Sequence, residues 1–267
     1  MGSVRFLGSL AAAGVMALVG VSNALAATTV VVTPANQQGW STADTRTGGT
    51  VTFVSDPTSP YPAGALQLTT DLTPAAKAQY LHAANDPLAS VTQLGYWTKQ
   101  VSGPALADPS YQLVMCLHGA TAATCGFTTL VFEAYQNTQE GAIVPGTWQH
   151  WDTAAGLFWS TRTVTCSSGA VVGTTGGPAT YTLDMIRNLC PDATVVGFGV
   201  NIGSNNPGYV VRTDGFNFNG TVYDFQLTNT PNSKEDCKDG GFVNLTDADG
   251  NPFKNQGQCV AFANHQD

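Results

Sequence analysis

The chain has 267 residues, a formal net charge of −8 at pH 7, and only 10% charged residues. An acidic protein repels phosphate backbones, so nucleic acid is not an expected partner. The low charge content leaves Thr, Ser, Asn, Gln and Gly to supply the polar surface, which is typical of strands and turns and argues against long exposed helices. The length is compatible with one large β-sandwich domain.

Residues 1–26 have the order of a secretory signal peptide. Arg5 is their only charge, an apolar stretch runs from Phe6 to about Val21, and Ala24-Leu25-Ala26 supplies the small residues of a cleavage site. An N-terminal membrane anchor fits less well, because the apolar stretch is short and is interrupted by glycines. We therefore predict that residues 1–26 are removed, that the protein is secreted and extracellular, and that it has no membrane span.

Short apolar segments separated by Gly, Pro, Asn and Asp recur along residues 27–229. Many alternate with period two, and their close spacing predicts an all-β fold, an antiparallel jelly-roll β-sandwich. The ten predicted strands are Thr50–Val54, Ala65–Thr69, Leu94–Val101, Tyr111–His118, Thr129–Tyr135, Gly146–Trp151, Leu157–Thr163, Thr194–Ile202, Tyr209–Asn217 and Val222–Leu227. One short helix is expected at Thr182–Leu189, ended by Cys190-Pro191. Pro74–Leu81 fits either a helical turn or a strand.

Six cysteines follow the predicted signal peptide. An even number in an exported chain indicates disulfides, and six cysteines allow 15 pairings. A metal site is disfavoured because the chain has no C-x-x-C spacing and no Cys/His cluster. The order along the chain favours the local pairs Cys116–Cys125, Cys166–Cys190 and Cys237–Cys259.

The composition changes after a linker at Thr230–Ser233. The segment Lys234–Asp239 is a cluster of charges in a chain that has few. The remaining residues are too few to hold a core of their own. We therefore expect residues 230–267 to form a small disulfide-closed C-terminal appendage to the sandwich.

Several segments together resemble a known group of proteins. They are Asp56–Leu68, Leu130–Tyr135, Gly146–Asp152, Gly156–Ser160 and Cys237–Val260. In this combination they resemble secreted bacterial proteins that join a concanavalin- or laminin-G-like jelly roll to a short tail of the pattern CKxGGW…FKNQGxCV. The resemblance covers nearly the whole chain after residue 26, and it implies a fold and export without implying an activity.

The chain departs from that pattern at three places. They are Ala134 in place of Pro, Phe242 in place of Trp, and an insertion at Asp247–Asn251. The inserted Asp247-Ala248-Asp249-Gly250 lacks the distal Glu of a calcium loop, and Asp-Gly between short segments predicts a hairpin turn.

No catalytic motif is evident. A glycosidase needs two carboxylates roughly 5–10 Å apart, and no predicted strand carries an alternating acid pair. Glu133 stands alone on its strand and is expected to pair with an Arg or a backbone amide. There is no G-x-S-x-G nucleophile elbow and no histidine pair with metal-ligand spacing. The sequence therefore favours a protein that is not an enzyme and predicts no catalytic residues.

A structural calcium is the one cofactor that the sequence suggests. Jelly rolls often carry calcium, which binds oxygen ligands only. Asp56 in the first turn and Asp214 in Arg212-Thr213-Asp214-Gly215 occupy positions where such ligands are expected. The alternative is that both aspartates only form turns.

Tryptophans are the remaining indication of function, because sugar rings stack on exposed aromatic side chains. Trp148 and Trp151 are three residues apart, so on a strand they point to opposite faces and one of them is in the core. We predict Trp97, Trp151 and Trp148 as ligand-binding residues, the alternative being that all the tryptophans are buried.

The sequence thus predicts a secreted noncatalytic recognition module for a glycan or cell-surface polymer. One alternative is a polysaccharide-active hydrolase or lyase on the same scaffold. The other is a structural protein of an extracellular coat or matrix.

Overall fold

The computed structural model describes residues 27–61, 64–104, 106–173 and 176–265, and the predicted signal peptide lies outside them. Within these residues the strands are β1 Thr28–Val32, β2 Trp40–Ser41, β3 Gly49–Ser55, β4 Gly64–Thr70, β5 Ala78–Pro87, β6 Leu94–Ser102, β7 Ser110–Cys116, β8 Phe127–Phe132, β9 Gln149–Trp151, β10 Trp159–Ser160, β11 Val164–Thr165, β12 Val171–Val172, β13 Thr194–Ile202, β14 Val210–Phe218 and β15 Thr221–Phe225. The helices are α1 Leu183–Leu189 and α2 Gln256–Ala263, and short 3-10 turns occupy Leu88–Ser90, Ala134–Gln136, Thr138–Glu140 and Gly241–Asn244.

Each of the ten predicted strands overlaps an observed strand, and the predicted β-sandwich is confirmed. The predicted helix is α1, which Thr182 caps by accepting a hydrogen bond from the Met185 amide. The ambiguous segment Pro74–Leu81 is half loop and half strand, because β5 begins at Ala78. None of the described helices has the length and apolarity that a membrane crossing requires.

The strands form two main sheets. One has seven strands, β1, β3, β4, β6, β9, β14 and β15, and the other has six in the order β10-β8-β7-β13-β5-β2. In the six-stranded sheet β13 lies between β5 and β7, and in the seven-stranded sheet β14 lies between β6 and the pair β4 and β15. All these pairings are antiparallel except β1 with β15, which is parallel. The predicted antiparallel sandwich therefore has one parallel pairing, at its edge strand β1.

Alternating side chains of both sheets fill the space between them. On β7, Tyr111, Leu113 and Met115 are fully buried, as period-two alternation requires of an inward-facing set. Trp40 lies at the centre of an aromatic cluster that joins the two sheets, with five ring centroids within 5.6 Å of its own: Tyr80, Phe198, Phe216, Tyr223 and Phe225.

The three predicted disulfides are confirmed as Cys116–Cys125, Cys166–Cys190 and Cys237–Cys259. The last of them closes the C-terminal segment, where Cys237, Cys259 and Ala263 form a small buried cluster of their own. This segment touches the sandwich through Asn229, whose side chain donates to the Asn244 carbonyl at 2.8 Å. The domain boundary at residue 230 stays a prediction, whereas the turn expected at Asp247–Asn251 is present, closed by a 2.9 Å bond from Asp247 N to Asn251 O.

Asp214 lies on β14 between the segment that pairs with β4 and the segment that pairs with β15. β4 pairs with β14 as far as Thr213, and β15 pairs with it from Phe216. The Asp214 carboxyl lies in the gap between them, where its Oδ1 accepts from the backbone amides of Gly215 at 2.8 Å and Phe225 at 2.9 Å. The Asp214 side chain thus accepts hydrogen bonds from backbone amides that have no strand partner in this gap.

Burial raises the pKa of Asp214 to about 8, even though its hydrogen bonds act in the opposite direction, and the nearby Asp224 adds to the increase. In the unfolded chain an aspartate has a pKa of about 3.9. Between these values the folded state binds a proton that the unfolded state does not. Stability contributed by this group is therefore greatest in acid, decreases as the pH rises toward about 8, and is constant above that.

We predict that Asp214→Asn flattens the pH dependence of the unfolding free energy between pH 6 and pH 8. An asparagine oxygen still accepts from both amides, and the side chain cannot ionise. Asp214→Ala leaves two buried amides without an acceptor and lowers the unfolding free energy by about 1–3 kcal/mol for each. Denaturant titrations at several pH values measure both effects. A pH slope that is the same in wild type and Asp214→Asn would contradict the role of this carboxyl.

Candidate functional site

The outer face of the six-stranded sheet carries a cavity of about 510 Å³, a volume in the range of small-ligand sites. Its floor includes a row of residues in register across four strands. Trp159 lies opposite Val131, Val131 opposite Gln112, and Gln112 opposite Gly199. Because side chains alternate along a strand, these positions face away from the core that their neighbours fill. We call this face the groove.

A second row, two residues along the strands, is polar. Asn201 pairs with Ser110 on one side and with Gln79 on the other. The Asn201 side-chain amide donates to Gln79 Oε1 at 2.9 Å, and Ser110 Oγ donates to the Asn201 carbonyl at 3.1 Å. Glu133 follows the last residue of β8 and extends the row beyond Ser110. The groove floor is therefore a line of amides and hydroxyls that ends in a carboxylate.

Gly199 leaves a gap in the first row of side chains. A Cβ added at this position would lie 2.1 Å from the Tyr80 carbonyl oxygen, so the backbone of β5 leaves no room for a side chain. The row consequently has no side chain between Gln112 on β7 and Leu81 on β5. Within the described residues, the Gln112 side-chain amide makes no hydrogen bond, so its donors and acceptor are available to a ligand.

Glu133 fixes the aromatic end of the groove. Its Oε2 accepts from the Trp159 indole at 2.8 Å, the Tyr135 hydroxyl at 3.0 Å and the Gln136 amide at 2.6 Å. Gln136 is itself held, since its Oε1 accepts from the Ala179 backbone amide at 2.7 Å. One carboxylate oxygen therefore tethers two aromatic rings, of which Tyr135 is 51% exposed and Trp159 is half-buried.

Asp108 lies in a loop that forms one wall of the groove. It is 8% exposed, and its Oδ2 accepts from Thr98 Oγ1 at 2.7 Å. Its Oδ1 is buried and has no hydrogen-bond partner among the described residues. Burial raises the pKa of Asp108 to about 6, against the effect of the Thr98 hydrogen bond. Among the described residues, the groove thus contains two carboxyl groups: Glu133, which holds the aromatic rings, and Asp108, whose pKa is raised.

Trp151 is not a ligand-binding residue, contrary to the prediction. It is fully buried in the core, and its indole nitrogen donates to Thr98 Oγ1 at 2.7 Å. Trp148, by contrast, lies on the outer side of the same segment and is half-buried, as the alternation of side chains along a strand predicts. A side chain with no exposed surface offers no face to a sugar ring.

Trp97 and Trp148 lie on the outer face of the seven-stranded sheet and do not line the groove. The Trp97 ring packs against His150 with centroids 5.2 Å apart. The Lys99 ammonium lies 5.0 Å from the centroid of Trp148, so a cation already covers that ring. The structure therefore separates these two tryptophans from Trp159.

Trp159 and Tyr135 are the groove aromatics that the sequence analysis did not select. One signal was available for Trp159. Phe158 and Trp159 are adjacent, Phe158 is fully buried, and neighbouring strand residues face opposite sides. For Tyr135 no local signal existed, because the tether to Glu133 depends on the 3-10 turn at Ala134–Gln136.

The calcium prediction does not fit the side chains around Asp56 and Asp214. Asp56 Oδ2 forms ion pairs with Lys99 and, at 2.8 Å, with Arg212, and both cations would repel a metal ion. Asp214 Oδ1 is occupied by two backbone amides, and its Oδ2 accepts from Ser59 Oγ. Among the described residues no cluster of three or more potential metal-ligating side chains occurs.

The cations explain the charge state of Asp56. Burial alone would raise its pKa, but hydrogen bonds from Lys99, Thr58 and Arg212 outweigh burial and hold the pKa well below the usual range. Lys99 comes from β6 and Arg212 from β14, while Asp56 follows β3. The carboxylate thus links the first turn of the sandwich to two neighbouring strands.

We predict that neither added calcium nor a chelator changes the melting temperature, since a ligand stabilises only by binding the folded state. Asp56→Ala leaves two largely buried cations without a counter-ion and should lower the unfolding free energy by about 3 kcal/mol. Differential scanning calorimetry with and without each additive is the measurement. A melting temperature that rises with calcium in wild type and not in Asp56→Ala would restore the metal site.

Comparisons with known proteins give limited information. No family model matches the chain, and no curated protein does. A family 11 carbohydrate-binding module from Clostridium thermocellum, in complex with a β-1,3-1,4-mixed-linked tetrasaccharide, aligns with a TM-score of 0.39 at 11% identity, covering 70% of this chain and 91% of the module. A second structure of a family 11 module, from a cellulosomal cellulase of the same organism, aligns with a TM-score of 0.39 at 11% identity, covering 67% and 86%.

An arabinose-bound α-L-arabinofuranosidase aligns with a TM-score of 0.38 at 8% identity, covering 72% of this chain and 26% of the enzyme. At these scores the likenesses carry no argument about function.

Proposed function

We propose that the protein is exported and binds a glycan in the groove without acting on it chemically. The observation that carries the proposal is that two aromatic rings, both held by Glu133, lie beside a floor of side-chain amides that still have hydrogen-bonding capacity. Trp159 and Tyr135 line one end of the groove, and Gln112 and Asn201 line its floor.

A sugar presents C–H faces and hydroxyl groups, and the groove has a partner for each. Aromatic rings offer a flat apolar surface with a polar edge. Amide side chains both donate and accept hydrogen bonds, as a hydroxyl does. Ligand sites generally combine an apolar lining with a few fixed polar groups that set orientation, and the tether of Glu133 fixes the rings before any ligand arrives.

The concave groove favours recognition over a purely structural role in a coat or matrix, for which a flat polar face is expected. Export is supported by the cysteines, all six of which are paired. Disulfides form and persist in oxidising compartments outside the cytosol. Together with the signal sequence at residues 1–26 this supports an extracellular location.

We predict that Trp159→Ala weakens glycan binding roughly tenfold or more, an effect of about 1.4 kcal/mol that is ordinary for a buried aromatic anchor at a binding site. Affinity electrophoresis against soluble polysaccharides, followed by calorimetric titration with the best of them, measures it. Tyr135→Ala should weaken binding of the same glycan.

Trp97→Ala is the matched control, since it removes the same side chain from the opposite face of the sandwich. It should leave the affinity unchanged. If Trp97→Ala or Trp148→Ala abolishes binding while Trp159→Ala does not, the site is on the seven-stranded sheet, as the sequence analysis predicted. Circular dichroism and melting curves show whether each variant is folded. Absence of binding to any polysaccharide by folded wild type removes the proposal.

A polysaccharide hydrolase is the second candidate function. Asp108 and Glu133 line the same groove, and glycoside hydrolysis uses a pair of carboxyl groups. The pKa of Asp108 is raised to about 6 by burial, and Glu133 Oε2 accepts hydrogen bonds from three donors. Binding remains the first candidate because the Asp108 oxygens are turned toward Thr98 and the core.

If the protein is a hydrolase, wild type releases reducing ends from the polysaccharide that it binds, and both Glu133→Gln and Asp108→Asn reduce the rate at least a hundredfold. We expect no release above background from wild type. A rate that Glu133→Gln abolishes in folded protein, with the glycan still bound, would replace the binding proposal by the enzyme.

A further inference from the structure

Two cations meet at the end of the groove opposite Trp159. Arg46 lies between β2 and β3, and Lys77 immediately precedes β5. Their chains are joined by a 2.9 Å hydrogen bond from the Arg46 backbone amide to the Lys77 carbonyl oxygen. Both side chains line the cavity, Arg46 exposed and Lys77 half-buried.

Neither cation has a counter-ion within ion-pair distance among the described residues. The carboxylate that acts most on Lys77 is Asp44, which raises its pKa, while burial, the largest effect, and the Arg46 charge lower it. In the part of the chain that the structure describes, Asp44 nevertheless forms no ion pair with Lys77 or Arg46.

This pair is exceptional in so acidic a chain. The whole sequence has 10 basic residues against 18 acidic ones. The bases of the sandwich outside the groove have partners: Lys99 and Arg212 on Asp56, Arg187 on Asp184, and Arg162 over the Phe127 ring. Arg162 also has no carboxylate partner among the described residues, but it does not line the groove, whereas Arg46 and Lys77 do.

We infer that the groove takes an anionic glycan, whose carboxylate or sulfate groups bind at Arg46 and Lys77 while a sugar ring packs on Trp159 and Tyr135. The inference rests on the proposed function and adds the ligand class to it. Arginine matches a carboxylate or sulfate with a planar fork of donors, and lysine adds a second charge.

The two ends of the groove determine the length of the ligand. Gln79, two residues after Lys77, pairs with Asn201, which pairs with Ser110, which adjoins Glu133. Glu133 and Gln79 are thus about three strand spacings apart, roughly 14 Å. A ligand that contacts the cations and the rings together is an oligosaccharide or a polymer rather than a single sugar.

The acidic groups of the groove are compatible with an anion at the cationic end. Glu133 lies at the far end, and its Oε2 is shared by three donors. The Asp108 carboxyl is turned toward Thr98, with Oδ1 buried. Neither carboxylate pairs with Arg46 or Lys77.

The experiment compares three polysaccharide classes on one protein: a polyuronate, a sulfated polysaccharide and a neutral glucan. We expect the acidic polymers to bind at least tenfold more tightly than the glucan, with an affinity that falls as salt is added. The double variant Arg46→Ala with Lys77→Met, which keeps the aliphatic stem of the lysine, should lose at least tenfold in affinity for the acidic polymer. Its affinity for the glucan should not change.

The matched control is Lys234→Ala with Lys254→Ala, which removes the same charge from the exposed C-terminal segment. It should bind as wild type does. Preference for the polyuronate over the sulfated polymer, or the reverse, identifies which anion the pair recognises. Equal binding of glucan and acidic polymers, unaffected by the double variant, overturns the inference and leaves the proposed function in place. Failure to bind all three polymers, by folded protein, overturns both.

Discussion

The packing of aromatic rings around Trp40 is the constraint on which the rest of the structure depends. Trp40 and Tyr80 come from the six-stranded sheet, and Phe216 and Phe225 come from the seven-stranded sheet, so one cluster holds the two layers together. A shift of one residue in any of these strands would turn its aromatic side chains to solvent. The same register that buries Val200 and Tyr111 turns their neighbours Asn201, Ser110 and Gln112 to the groove, so the binding floor is a consequence of the core.

Much of the fold could be predicted because its determinants are local. Turn residues separate the apolar segments, and the cysteines pair with their nearest neighbours along the chain. Strands β1, β2, β11 and β12 were not predicted, and the start of β5 was predicted only as one of two alternatives for Pro74–Leu81. β2 is only two residues long, and the outer half of β5 is polar and exposed. The parallel pairing of β1 with β15 joins residues nearly 200 positions apart, and no short pattern reports such a contact.

The site was harder to predict than the fold, since alternation tells which residues face outward but not which outer face is concave. Trp148 and Trp159 both face outward from a strand or its flank, yet they lie on different sheets. The calcium prediction at Asp56 was wrong for a similar reason. Its partner Arg212 is 156 residues away, so a sequence that shows an acidic turn cannot show that two cations already neutralise it.

The distribution of paired and unpaired charge distinguishes the two outer faces. On the seven-stranded sheet, Lys99 and Arg212 are neutralised by Asp56, and Lys99 also covers Trp148. The cations of that face are therefore already paired with a carboxylate. In the groove, Arg46 and Lys77 are uncompensated and the rings are held from one side only, by Glu133. Since a buried or half-buried charge without a partner is unfavourable in the free protein, a bound anion would relieve that cost, which is why binding is expected on this face.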